Sequence, residues 1–330
     1  MLRFFIRRSL LAVLTLFAIS VTTFLLFFAV PANPAATMCG TRICPADVQR
    51  QIEKDLGLDK PLAVQYGQYM KGIFVGRTIG SGATVKPCPA PCMGVSFRTG
   101  QPVFDIIKTG LPVSVSIVLG AAVVWLAIGI GLGTAAALRR GGPLDKFSIG
   151  FSLTGASMQI FVLGPILVAV FVYGLGWLPR PTYTSLFDNP FQWAIGLILP
   201  WLTLGAINSA LYARLSRAQM LETLSEDFVR TAKAKGLSPR TVNFRHALRA
   251  AITPMVTIAG LDLGINLGGV VITETTFNMQ GAGKIAVNAI GDLNLPVVMA
   301  TVLIAATFIV VANVVVDMLY ALIDPRVKLS

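Results

Sequence analysis

The sequence predicts an all-α integral membrane protein with six transmembrane helices. Three observations carry that expectation. Of the 330 residues, 55% are hydrophobic and only 13% are charged, about half the ~25% charged share of an ordinary soluble domain. The apolar residues gather into six segments near the ~20 residues that a helix needs to cross a bilayer: 9–30, 113–138, 149–173, 194–212, 252–273 and 297–322. The basic residues, finally, alternate between the loops. With the N-terminus in the cytosol, sixteen of them fall on the cytosolic side, including Arg3, Arg7, Arg8, Arg139, Arg140 and a run from Arg214 to Arg249. The short outer loops hold only Arg180 and Lys284. Short loops set orientation, so both termini are expected in the cytosol. Topology accounts for the net charge of +12, and no nucleic-acid partner is needed.

Three regions follow in order. Residues 1–30 hold the cytosolic N-terminus and the first transmembrane helix. At 22 residues, segment 9–30 is longer than the roughly 7–15 residues of a signal peptide's apolar region, so it reads as an uncleaved anchor. Residues 31–110 form an extracytoplasmic loop region. Asp47, Glu53 and Asp55 interleave there with Val48, Ile52 and Leu56, a spacing that predicts a short amphipathic helix. The nine basic residues of this long loop are partly balanced by these acids and by Asp59 and Asp105. All four cysteines, Cys39, Cys44, Cys88 and Cys92, lie in the same loop. On an oxidising side they read as disulfides rather than a metal site, with three pairings open. The Cys88–Cys92 spacing is not the two-residue spacing of thioredoxin-like redox sites.

Residues 111–330 form the core, with the remaining five apolar segments and a cytosolic loop at about 214–251. Gly120, Gly129, Gly131 and Gly133 stud the second segment. Small residues let helices approach closely, and a path lined by backbone is the alternative. Pro165 and Pro200 are expected to kink the third and fourth segments. Trp177 and Trp193 stand at outer ends, where aromatic residues favour the interface.

The cytosolic loop at about 214–251 has its own pattern. Ser225 precedes Glu226 and Asp227, a helix start with acidic first-turn residues. Phe228, Ala232 and Lys235 recur at helical spacing. Gly236 ends that helix, and Ser238-Pro239 opens another. Such an elbow can lie in a groove on another protein or can be a solvated basic loop. The residues alone leave both readings level.

The spacing Ala232-x-x-x-Gly236, followed by His246 and Pro254, resembles the coupling loop of binding-protein-dependent ABC importer permeases. That loop is named for a Glu-Ala-Ala start. The positions here read Arg230-Thr231-Ala232, and the string from Ser225 to Pro254 resembles the dipeptide, oligopeptide and nickel branch. Gly155-Ala-Ser-Met158, Ile198-Leu-Pro-Trp-Leu-Thr-Leu-Gly205, Thr273-Glu-Thr-Thr-Phe277 with Gly281-Ala-Gly283, and Asp317-Met-Leu-Tyr320 with Asp324-Pro-Arg326 match the same branch. Gln159 stands where a proline is common in it.

The resemblance implies a type I ABC importer permease fold in the bacterial inner membrane. It implies an ATPase-docking loop built on Glu226, Asp227, Arg230, Ala232, Lys235 and Gly236. The implied partners are a second homologous permease subunit, two ATP-binding subunits and an extracytoplasmic substrate-binding protein. ATP and Mg would sit on the ATP-binding subunits; this chain would bind no cofactor and carry no catalytic residue. Peptides are the implied cargo, with nickel or another small solute as the alternative.

Two intramembrane acids stand out. Asp262 lies within the fifth segment with Asn266 one turn away, and Asp317 lies near the cytosolic end of the sixth with Asn313. Acids at such depth face protein or a cavity, so these residues are candidates for lining the path or bridging helices. Neither context matches an intramembrane aspartyl protease. Gly281-Ala-Gly-Lys284 lacks the first glycine of a phosphate-binding loop, since Asn278 occupies that position. A stand-alone secondary transporter would often show internal repeats, and none is evident.

Overall fold

The computed structural model describes residues 2–29, 45–57, 59–80, 86–96 and 98–323. Cys39, Cys44 and the Asp324-Pro-Arg326 ending lie outside the described residues. The first apolar segment forms α1 (Leu2–Phe28). Leu10, Val13, Leu14, Phe17 and Leu26 remain exposed on it, as suits a helix whose surroundings are lipid.

The segment between α1 and the next long helix carries two helices and a small hairpin. α2 (Ala46–Leu56) forms where the sequence predicts a short helix, and it ends on Gly57 at φ 66°. α3 (Leu62–Val75) has no counterpart among the expected elements. Apolar residues line more than one of its faces, and Val64, Phe74 and Val75 are exposed. Its other face leans on α1: the Tyr66 hydroxyl lies 2.6 Å from Ser20 Oγ, and Phe24, Tyr69, Met299 and Leu303 form a buried cluster. Strands β1 (Arg77–Ile79) and β2 (Lys86–Cys88) pair antiparallel, with Arg77 opposite Cys88.

α4 (Val103–Leu138) begins well before the expected position 113 and takes Pro112 into its interior. α7 (Pro190–Ser225) is equally long, 36 residues. Such helices measure about 54 Å against a hydrocarbon core of about 30 Å, so both project beyond it. Asn189 caps α7 by accepting from the Gln192 amide, and Pro190 occupies the first helical turn, where its missing N–H costs nothing. Residues 214–225, expected to open the cytosolic loop, therefore continue this helix.

α4 and α7 form the centre of the molecule and run parallel. Gly120 faces Trp201, Gly205 faces Val124, Gly129 faces Tyr212 and Gly133 faces Ser216, so the contacts advance in the same direction on both helices. A Cβ at Gly129 would stand 2.5 Å from Tyr212 Cβ, and one at Gly133 2.6 Å from Ser216 Cβ. Three of the four singled-out glycines thus act by close approach. Gly131 faces open space and has no part in this seam. Around the seam lies the main core, with Ile117, Trp125, Leu197 and Tyr212 fully buried.

The third apolar segment is not the single helix expected over 149–173. It forms α5 (Pro143–Ser157) and α6 (Ile160–Val168), the latter continued by a π-helical turn over Ala169–Gly174. The two arms are bent by 105°. The break falls at Met158 and Gln159, both extended, and not at Pro165, which lies inside α6.

α8 (Asp227–Ala234) is followed by a π-helical turn over Thr241–Ala247 and α9 (Leu248–Leu267). The fifth span is therefore shifted toward the N-terminus relative to 252–273. It stops at Leu267, and Gly269 takes φ 148° before the short α10 (Val271–Thr276). α11 (Ala282–Gly291) and α12 (Leu295–Ile323) complete the chain. α12 packs on α9 and α1. Among the described residues, five helices are long and apolar enough to cross a membrane, and the bent α5–α6 pair is the sixth candidate.

Candidate functional site

The most exposed functional candidate is the elbow after α7. The helix breaks at Glu226, which is extended (φ −68°, ψ 147°). Ser225 is not its N-cap; the Ser225 hydroxyl turns back to the Glu222 carbonyl at 2.6 Å. α8 then buries Val229 and Ala232 against Ala137, Met220, Val242, Ala247 and Ala251. This contact faces the body of the protein, so Ala232 is a foot of the elbow. Phe228, by contrast, is 46% exposed, with Leu237 and Phe244 exposed nearby in sequence. Glu226, Asp227, Arg230 and Lys235 are exposed as well, and Arg230 reaches Asp227 at 3.4 Å.

Gly236 ends α8 at φ 75°. Its amide donates to the Lys233 carbonyl, and the Leu237 amide reaches the Ala232 carbonyl at 3.4 Å. This is the paired bonding of a left-handed helix end, a conformation that glycine takes without strain. The base is held by Arg217 on α7, whose Nη2 lies 3.0 Å from an Asp145 oxygen at the start of α5. The Gly141 amide also donates to that carboxylate at 2.9 Å. The outcome is an exposed aromatic side chain, Phe228, flanked by charged residues of both signs and carried on a packed foot.

The intramembrane acids find partners on other helices. The Tyr212 hydroxyl on α7 donates to Asp262 Oδ2 on α9 at 2.7 Å. The Asn266 amide donates to the Asp262 backbone carbonyl at 2.7 Å rather than to its carboxylate. Asp317 on α12 pairs with Arg8 on α1. Tyr212 and Arg8 could not be found by local spacing, because each lies far away in sequence.

Glu274 is the buried acid that sequence reasoning passed over. It lies at 0% exposure on α10. Ser114 on α4 donates to its Oε1 at 2.5 Å, and the Lys284 amide donates to Oε2 at 2.7 Å. Ser114 Oγ in turn accepts from the Ala282 amide at 2.9 Å. Burial pushes the Glu274 carboxyl above its ordinary range, against the pull of Ser114 and the Lys284 and Gly283 amides. The carboxylate thus stands at the N-terminus of α11, where first-turn amides donate to an anion, and joins α4, α10 and α11 at one point. Gly281 and Gly283 both lie directly against it. The available sequence signal was Thr273-Glu-Thr-Thr-Phe277 followed by two glycines.

In the first loop, Cys88 and Cys92 form a disulfide with Cα atoms 5.4 Å apart, closing a turn that contains Pro89 and Pro91. Both sulfurs belong to buried residues. Non-reducing peptide mapping is expected to show Cys88 and Cys92 linked; alkylation of both without reductant would contradict this.

These features together define a multi-pass membrane protein with a polar elbow at one end of its central helices. The chain belongs to the family described as binding-protein-dependent transport system inner membrane component, whose model matches residues 127–329. The N-terminal model of the same system matches residues 1–118. The chain is 37% identical to the di/tripeptide transport system permease protein DppB of Pseudomonas aeruginosa, with 99% of each chain covered. It is 33% identical to the dipeptide transport system permease protein DppB of Escherichia coli, again over 99% of each. A probable peptide ABC transporter permease of Sinorhizobium fredii is 34% identical over 98% of this chain and 99% of its own.

Proposed function

We propose that this chain is the transmembrane subunit of an ATP-driven peptide importer of the bacterial inner membrane, with a type I ABC importer permease fold. It would form half of the translocation path for di- or oligopeptides and carry no catalysis itself. Its partners would be a second, homologous permease, two ATP-binding subunits that hold ATP and Mg, and an extracytoplasmic substrate-binding protein. The chain would bind no cofactor of its own. End-to-end likeness to dipeptide permeases supports the cargo.

The parallel run of α4 and α7 supports six crossings. Parallel neighbours need the connecting chain to return to the starting side, and α5–α6 is the stretch available to do so. Six crossings would place both termini on one side, and the basic residues around α8 support the cytosol as that side.

The observation that carries the reading is α8 itself, a short helix held by Val229 and Ala232 with Phe228 presented outward. Its Glu226, Asp227, Arg230, Lys235 and Gly236 neighbourhood would dock in a groove of the ATP-binding subunit. Phe228→Asp is expected to weaken that association by about 30-fold or more, the loss of an aromatic anchor worth about 2 kcal/mol. Co-purification of the ATP-binding subunits from mild detergent checks this. Their retention at the parental ratio would rule out Phe228 as an anchor.

A further inference from the structure

We infer that the break between α5 and α6 opens onto the translocation path, where Thr154 and Gln159 hydrogen-bond the backbone of the peptide in transit. This rests on the peptide-permease reading above. Each arm of the bent pair, Pro143–Ser157 and Ile160–Gly174, has the length of 15 residues, about 22 Å. Neither alone crosses a hydrocarbon core of about 30 Å. The chain must nevertheless return through the bilayer between the parallel α4 and α7; read as a broken span, the pair bent by 105° puts its break inside the hydrocarbon zone.

Met158 (φ −86°, ψ 139°) and Gln159 (φ −104°, ψ 148°) leave the helical conformation. Backbone groups flanking a helix end lose their partners, and lipid offers no replacement. Non-helical backbone at membrane depth persists only where protein buries it or where it lines a water-filled cavity.

One side of the break is buried. Gly155 lies directly against Ala210 of α7, and a Cβ at Gly164 would stand 2.8 Å from Thr276 Cγ2. The other side is open, with Thr154, Ser157 and Gln159 all exposed. Ser157 gives its hydroxyl to the Leu153 carbonyl at 3.1 Å. The Thr154 hydroxyl and the Gln159 carboxamide have no hydrogen-bond partner among the described residues. An unpaired amide facing lipid is strongly unfavourable, so water, cargo or the second permease covers this side. A glutamine carboxamide offers both donors and an acceptor. These match the groups of any peptide bond, whatever the cargo's side chains.

The test uses the complete complex in proteoliposomes, with Gln159→Cys compared against Leu14→Cys. Leu14 is 61% exposed on α1 and serves as the lipid-facing control. A charged, water-soluble thiol reagent is applied to both faces, and modified positions are located by mass spectrometry. The thiol introduced by Gln159→Cys is expected to react faster than that of Leu14→Cys and to be protected by a saturating mixture of dipeptides. Gln159→Leu is expected to lower dipeptide uptake about three- to tenfold, the loss of roughly one hydrogen bond, with Gln159→Asn recovering part of it. If the parent complex imports dipeptides while the Gln159→Cys thiol is no more reactive than the control, the break faces lipid or a dry subunit interface and the inference is overturned. Reaction without protection by peptide overturns the contact with cargo. If the parent complex imports no peptide, the peptide-permease reading fails instead.

Discussion

Gly236→Val is expected to abolish ATP-driven uptake while leaving the chain inserted and its membrane helices packed. At φ 75° a residue with a Cβ pays about 1–2 kcal/mol, and a β-branched one pays more because its χ1 is also restricted. Space is not the obstacle, since a Cβ at Gly236 would meet nothing within 4 Å. The strain is relieved by changing the backbone, which breaks the Leu237 amide's bond to the Ala232 carbonyl. Leu237 and the following turn then move relative to Phe228, and the tip no longer fits its partner. The core around Trp125 and Tyr212 is untouched. Gly236→Asn is the control, because asparagine tolerates the left-handed region, and it should transport nearly as the parent does. Uptake and ATP turnover measured together in proteoliposomes separate the outcomes. Coupled uptake in Gly236→Val at the parental rate would show that the helix end does not matter to coupling.

Glu274→Ala is expected to cost about 3–5 kcal/mol. It removes the partner of the Ser114 hydroxyl and of the Lys284 amide at once, and each buried group left unpaired costs about 1–3 kcal/mol. The melting temperature of the detergent-purified complex should fall by about 10 °C. Ser114→Ala should fall by less, because the carboxylate keeps the α11 amides. Glu274→Gln should be milder than Glu274→Ala, since its oxygen can still accept from the Lys284 amide while its NH2 group turns toward the Ser114 hydroxyl. A melting temperature for Glu274→Ala within a degree of the parent would mean that the carboxylate is not the junction of α4, α10 and α11.

Local chemistry was readable from the sequence, and pairings across the chain were not. Gly236 could be placed because a glycine after a periodic stretch needs no distant information. The same holds for α2, whose alternating acids and apolar residues signal one helix. The foot of the elbow was harder. Phe228, Ala232 and Lys235 make a plausible stripe, but packing against α7 and α9 selects Val229 with Ala232 and turns Phe228 outward. Hydropathy over 149–173 averages across Met158 and Gln159 and does not register two extended residues. Pro165 is the conventional kink signal, yet it sits quietly inside α6. Glu274 gains its meaning only from Ser114, 160 positions away. Residues 214–225 read as a polar loop because projecting helix and solvated loop share one composition. The glycines of α4 were legible as close-packing residues, but only the position of α7 distinguishes Gly129 and Gly133 from Gly131.

ATP hydrolysis by the complex purified through this chain is the measurement to make first. The complex would be reconstituted with its substrate-binding protein and challenged with dipeptides, oligopeptides and nickel complexes. Stimulation of ATP turnover by peptides is the result expected of a peptide-importer permease that couples through α8. Stimulation by nickel alone would keep the architecture and replace the cargo. Absence of any co-purifying ATPase across several mild detergents would contradict the docking role of the elbow.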